Sequence, residues 1–178
     1  MFAKDELNKV LSKYVKYVVT QAKANLTRKD KNASKKLHSS IKGNSKVSKN
    51  SIGIYFEMEE YGAFQDLGVK GKASSRKAPE SPFRFGSGTG RKGGLTNAIL
   101  EWVKLKRIQF KDKNSSRFMS YESTAFIITR SIYQTGIKPS RFFSKPMEDG
   151  FKKLPDDVIE AYGLDSEKLI KQALNIKK

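Results

Sequence analysis

Four carboxylates, Glu57, Glu59, Glu60 and Asp66, fall within 51–68, a stretch that holds no lysine or arginine. Carboxylates carried on a hairpin can hold a hard divalent cation, and with Lys70 or Lys72 beside them they would suit a magnesium-dependent nuclease. Exposed carboxylates beside a turn are the plainer reading of the same pattern, so no catalytic or metal-binding residue is assigned and the chain is not read as an enzyme. Little else here is reactive. Cysteine is absent and His38 is the only histidine. That excludes thiol catalysis, cysteine-ligated zinc and a disulfide framework, and leaves conventional triads and multi-histidine metal sites without parts. Gly86-Ser87-Gly88-Thr89-Gly90 has the glycine density of a phosphate cradle but neither the Gly-Lys-Ser/Thr order nor a strand directly before it. It reads as a flexible loop tip, and no cofactor is expected.

Charge is the next constraint. The chain has 178 residues and a net charge of +18, from 36 basic and 18 acidic residues. A surplus of that size points first to a polyanionic partner. Its distribution is uneven: 1–50 carries 13 basic residues against 3 acidic, and 70–92 carries 7 against 1. An acidic strip in a basic field suits head-to-tail contact between copies of one protein as well as it suits nucleic acid. Lys4, Lys9, Lys13 and Lys16 interrupt every apolar run near the N-terminus, so neither a signal peptide nor a membrane span is expected, and the protein reads as soluble and made in a cytoplasm.

The elements that position these residues follow from periodicity. Leu7, Val10, Leu11, Tyr14, Val18 and Ala22 recur at three- and four-residue steps and predict an amphipathic helix over 5–25. Residues 27–40 read as a mobile basic loop that passes at Leu37 into an extended segment. A hairpin region is expected over 41–68, with strands at 41–47 and 52–58 around Ser48-Lys49-Asn50 and with Ile52, Ile54, Phe56 and Met58 on one face. An extended, glycine-rich basic loop occupies 69–94. In 95–143 the sequence predicts two helices and a closing strand. The first has Leu95, Ala98, Ile99, Trp102 and Val103 facing the core, with Trp102 as an anchor; the second runs from about Tyr121 to a glycine stop at Gly136. Arg141-Phe142-Phe143, between Pro139 and Pro146, reads as the strand. A C-terminal tail, 150–178, is expected to hold a short helix ending near Gly163 and a last one capped by Asp165. The fold class is α+β in a single domain: a small antiparallel sheet packed by the long N-terminal helix and the two central helices. A chain of this length buries roughly 70% of its unfolded surface and needs no staple.

Four segments in this order resemble the tail-completion or minor tail proteins of tailed bacteriophages, the head-tail joining proteins of the neck. A long helix ending Ala22-Lys23-Ala24-Asn25 leads to Leu37-His38-Ser39-Ser40-Ile41, similar to the family's Leu-x-x-Ser-Ile passage into the sheet. Tyr61-Gly62-Ala63-Phe64-Gln65-Asp66-Leu67-Gly68 resembles Tyr-Ala-x-Tyr-Val-Glu-x-Gly, with Gln65-Asp66 where Val-Glu is common. Trp102 with Lys106-Arg107-Ile108, then Ser131 to Ile137, is similar to a pattern of related phage proteins, and Pro139-Ser140-Arg141-Phe142-Phe143 resembles the closing proline-phenylalanine segment. The family's Pro-x-Asp-Thr-Gly is replaced by 27–33, and the 70–92 loop is long.

The resemblance implies a non-enzymatic virion protein of the neck or head-proximal tail, built as a homo-oligomeric ring through which DNA passes. Its implied partners are portal-side adaptor or connector proteins, the tail tube or other tail proteins, and packaged DNA in transient non-specific contact; no membrane is involved. Candidate inter-subunit contacts are Glu57, Glu59, Glu60, Asp66, Arg76, Lys77 and Arg84, and Lys70, Lys72, Arg91 and Lys92 are candidates to face DNA. The alternative is a basic nucleic-acid-binding protein using Arg28, Lys29, Lys31, Lys35, Lys36 and the 70–92 loop.

Overall fold

Helix α1, Asp5–Arg28, turns the N-terminal periodicity into a buried stripe: Leu7, Leu11, Tyr14, Val15, Val18, Ala22 and Leu26 all face inward. In this computed structural model, residues 5–31, 33–48, 51–87, 94–113 and 115–175 are described. Contacts divide the chain into two compact units, one from 1–27, 38–59 and 142–178, the other from 28–37 and 60–141. The fold is α+β.

In the first unit α1 packs on a hairpin. Strands β1, Lys42–Val47, and β2, Ile52–Glu57, pair antiparallel from Lys42↔Glu57 to Val47↔Ile52. Val47, Ile54 and Phe56 lie against the cluster of Leu7, Leu11, Tyr14, Val15, Val18 and Leu154. Phe56 meets the Tyr14 ring at 6.4 Å and the Phe143 ring at 5.2 Å, both edge-on. Gly43 allows this approach, since a Cβ there would stand 2.6 Å from Val15 Cγ1. Ile52, expected on the inner face, is 48% exposed. The unit closes with α6, Ser144–Phe151, and α7, Leu154–Asn175.

Two expectations fail in that C-terminal region. Arg141-Phe142-Phe143 is not a strand but the turn that leads into α6; Phe142 is fully buried, and its carbonyl accepts a bond from Asn25 Nδ2 at 3.1 Å. Pro146 lies in the first turn of α6, where a missing N–H costs nothing. The tail does not break at Gly163: α7 runs through it, because Leu154, Ala161 and Asp165 are buried on one face and tertiary packing outweighs a glycine's propensity cost. Asp165 caps a helix, but a different one from that expected. Its Oδ1 accepts from Glu6 N and its Oδ2 from Leu7 N, both at 3.2 Å, so it satisfies the open N–H groups of α1.

In the second unit two segments expected to be extended or loop are helical. Helix α2, Lys36–Ser40, begins there, and α3 is Tyr61–Leu67. The expected hairpin region therefore ends at Glu57 and is followed by a helix. Helices α4, Gly94–Lys106, and α5, Tyr121–Thr135, pack on each other around Val103, Thr124 and Ala125. Helix α5 begins at Ser120, whose side chain accepts from Ser123 N. Trp102 is not a core anchor: it is 36% exposed, and Val103 fills the fully buried position.

The sheet of this unit is a two-residue ladder, β3 Val69–Lys70 with β4 Gly136–Ile137. Each strand follows a helix that ends in glycine at positive φ, Gly68 at 74° and Gly136 at 86°. Glycine is required twice over here. That conformation is open to few other residues, and a Cβ at Gly68 would stand 2.5 Å from the Ile137 oxygen while one at Gly136 would collide with the Val69 oxygen. Gly136 thus ends its helix as its sequence position predicts, with its N–H donating to the Ile132 carbonyl.

Candidate interaction surfaces

The acidic strip is only partly a surface. Glu57 ends β2 opposite Lys42, Glu59 follows with its backbone N–H bonded to Ser40 Oγ at 3.0 Å, and Glu60 immediately precedes α3; all three are exposed. Asp66 departs from the expectation. It is 5% exposed, on the inward face of α3, and its carbonyl accepts from Arg141 N at 2.9 Å. Helical phase explains the difference, since Gly62 and Asp66 lie one turn apart and are both buried. Among the described residues no three His, Asp or Glu side chains form a metal-binding group.

The basic loop is held by its own backbone. Lys70 N bonds Phe83 O, Phe85 N bonds Lys70 O, Lys72 N bonds Tyr133 O and Ala73 N bonds Gln134 O, which ties 70–85 to the end of α5. Ser81 is buried and donates to Gly68 O at 2.7 Å, and Ala78 is fully buried. Phe64 and Phe83 meet edge-on at 4.7 Å. Two of the candidate contact residues are turned to this work. Lys77 Nζ donates to Thr135 Oγ1 at 2.8 Å and to Gly136 O, where a cation suits a helix C-terminus. Arg84 donates to Gly71 O and Ser75 Oγ. Lys72 and Arg76 are exposed and Lys70 is half-buried. Arg91 and Lys92, with 88–90 of the glycine-rich tip and Lys49-Asn50 of the hairpin turn, lie outside the described residues.

Two surfaces carry more apolar area than their sequences announce. On α7, Ile159, Tyr162 and Ile170 are 71%, 60% and 61% exposed. Their spacing sets them on one outward stripe, beside the face of Leu154, Val158, Ala161 and Asp165 that is turned inward. Asp156, Glu160 and Glu167 run beside the stripe as an acidic rail. The Glu167 carboxyl is held below its usual range by its bond to Lys171 at 2.5 Å, so it stays charged. The signal was in the sequence, but a helix expected to stop at Gly163 separates Ile159 and Tyr162 from Ile170.

The second surface is an open groove of about 600 Å³ in the other unit, lined by Phe110, Met119 and Ile127 and rimmed by Lys111, Asp112 and Lys113. A small antiparallel turn between α4 and α5 builds it. Lys111 bridges Phe118, Asp112 N bonds Arg117 O, Met119 N bonds Phe110 O, and the Asp112 carboxylate accepts from Ser115 N at 2.8 Å. Thr124, fully buried on α5, accepts from Phe110 N and anchors the turn to the helix. Lys111 Nζ lies 5.4 Å from the centre of the Phe118 ring. Residues 111–116 read alone as a polar loop, and it is the ladder across the turn together with the bond from Phe110 N to Thr124 that shapes them into a groove wall.

Among the described residues no helix is long and apolar enough to cross a membrane. Compared with known proteins, the chain matches no family model, no curated sequence and no solved structure.

Proposed function

We propose that the protein is a non-enzymatic structural subunit of a tailed-bacteriophage virion, at the neck or the head-proximal end of the tail, that assembles as a ring around a DNA channel. The observation that carries this reading is the junction between two of the segments on which the resemblance rests. Ser140 N and Oγ both donate to Gln65 O, at 3.0 and 2.5 Å, and Arg141 N donates to Asp66 O. The tyrosine-glycine segment and the proline-phenylalanine segment, about 75 residues apart in sequence, thus form one bonded unit. Segments that close on each other through backbone groups set a fold, which leaves the exposed side chains free to differ between relatives.

The surfaces support the same reading. Apolar stripes and grooves on a strongly charged chain suit protein partners, because burying them is the main gain available to association. Glu57, Glu59 and Glu60 are exposed, and on this reading they meet basic surface on a neighbouring copy or adaptor. The test is assembly: purified protein should form rings or co-sediment with connector rings or tail tubes, visible by negative-stain microscopy. Glu59→Lys with Glu60→Lys should weaken that assembly, and unaltered assembly would remove the acidic contact. Protein that neither self-assembles nor joins a virion component overturns the proposal.

A second reading has one observation in its favour. The unit of 28–37 and 60–141 holds 21 basic and 7 acidic residues, net +14, whereas the other unit holds 15 and 11, net +4. Nucleic-acid binding on that unit requires steeply salt-dependent affinity for duplex DNA near physiological ionic strength. Shallow, weak binding rejects it.

A further inference from the structure

We infer that the outward stripe of α7 docks into the groove of Phe110, Met119 and Ile127 on a second copy of the chain, which makes this contact the head-to-tail joint of the assembly; the inference rests on the ring reading above. Charge complementarity selects the partner. Between 154 and 175 the chain carries five acidic residues against Lys168 and Lys171, and between 104 and 117 it carries six basic residues against Asp112 alone. The acidic rail of Asp156, Glu160 and Glu167 borders the stripe on the same helix, and Lys111 and Lys113 border the groove. Each surface pairs an apolar strip with a flank of the opposite sign, which fixes register as well as attraction.

The two surfaces differ, so the contact is heterologous: each copy offers a helix to one neighbour and a groove to the other. Such contacts generate closed rings or open filaments and never a closed dimer. Their size sets their strength. A stripe of three exposed apolar residues buries less than the roughly 1,200 Å² that stable pairs need, so one joint alone is weak and closure of a ring or a template is what makes it persist.

The absence of cysteine makes a direct test clean. Tyr162→Cys and Ile127→Cys proteins are prepared separately, then mixed under mild oxidant with wild-type sedimentation run in parallel. The docking predicts disulfide cross-linking in the mixture well above that of either variant alone. Ile159→Asp and Lys113→Glu, both at exposed positions, should each raise the self-association Kd by about tenfold or more, the loss expected when one apolar or ionic contact is reversed. Cross-linking of Tyr162→Cys with itself in preference to the mixture overturns the groove as partner and indicates α7 against α7. Wild-type assembly that Ile159→Asp and Lys113→Glu leave unchanged overturns the docking and spares the ring. Wild-type protein that remains monomeric both alone and with connector rings overturns the two together.

Discussion

Asp165 shows how far apart the residues that determine a single helix can be. Its carboxylate holds the Glu6 and Leu7 amides from 159 and 158 residues away and is itself 4% exposed. Replacing it with alanine leaves two amide donors at the start of α1 without their acceptor and should cost about 1–3 kcal/mol in denaturant unfolding. Asp165→Asn retains one acceptor and should lose less. A loss under a few tenths of a kcal/mol in Asp165→Ala would mean that water replaces the carboxylate. Beside it, the Glu6 carboxyl is held below its usual range, first by its bond to Lys168 at 2.6 Å and then by Lys9. A carboxyl lowered in the folded state contributes stability above its ordinary pKa and loses that contribution as pH falls through the lowered value. Lys168→Gln should therefore reduce stability near neutrality and flatten its acid decline, by an amount that salt diminishes because Glu6 and Lys168 are only partly buried. An acid limb of unchanged slope in Lys168→Gln would show that the pair does not shape it.

Among the elements, α1 was legible in the sequence because its signal is local. Leu7, Leu11, Tyr14, Val18 and Ala22 repeat on one narrow stripe, and no alternative phase competes. Helix α4 was legible as a helix but not in its orientation, since Leu95, Ala98, Ile99, Trp102 and Val103 span too wide an arc to say which edge faces inward. Size favoured Trp102, whereas packing against α5 buried Val103. Helix α7 failed for the opposite reason. Gly163 signals a stop locally, and only the burial of Ala161 and the bonds of Asp165 to α1, invisible to a window of neighbouring residues, override it. The candidate surfaces divide along a related line: exposed Glu57, Glu59 and Glu60 could be named from composition, while buried Asp66 depends on its contact with Arg141, distant in sequence, and the groove at Ile127 on how a polar turn folds against α5. Leu11→Ala, at a position 1% exposed, should cost about 2–5 kcal/mol, and Trp102→Ala, at a position 36% exposed, should cost less. Comparable losses at the two positions, from urea midpoints, would put Trp102 back in the core.

For the whole molecule, net charge and local charge pattern act in opposite directions on assembly, and their ranges differ. Copies that each carry +18 repel one another at long range. That repulsion is felt across about 30 Å at 0.01 M salt but only about 8 Å at 0.15 M. Opposed charges within a joint, a few ångströms apart and beside apolar surface, outlast this first stage of screening and weaken only as the screening length nears about 3 Å at 1 M. Self-association followed by sedimentation should therefore strengthen from 0.01 to about 0.15 M salt, as repulsion fades, and weaken again toward 1 M as the joint itself is screened. Ile159→Asp should lower the curve at every salt concentration, because it removes apolar contact. Lys113→Glu should flatten its high-salt limb, because it removes an attraction that salt can no longer diminish. Association that falls steadily from the lowest salt upward would mean that attraction between opposite charges dominates at every range, a result at odds with copies whose surplus is of one sign.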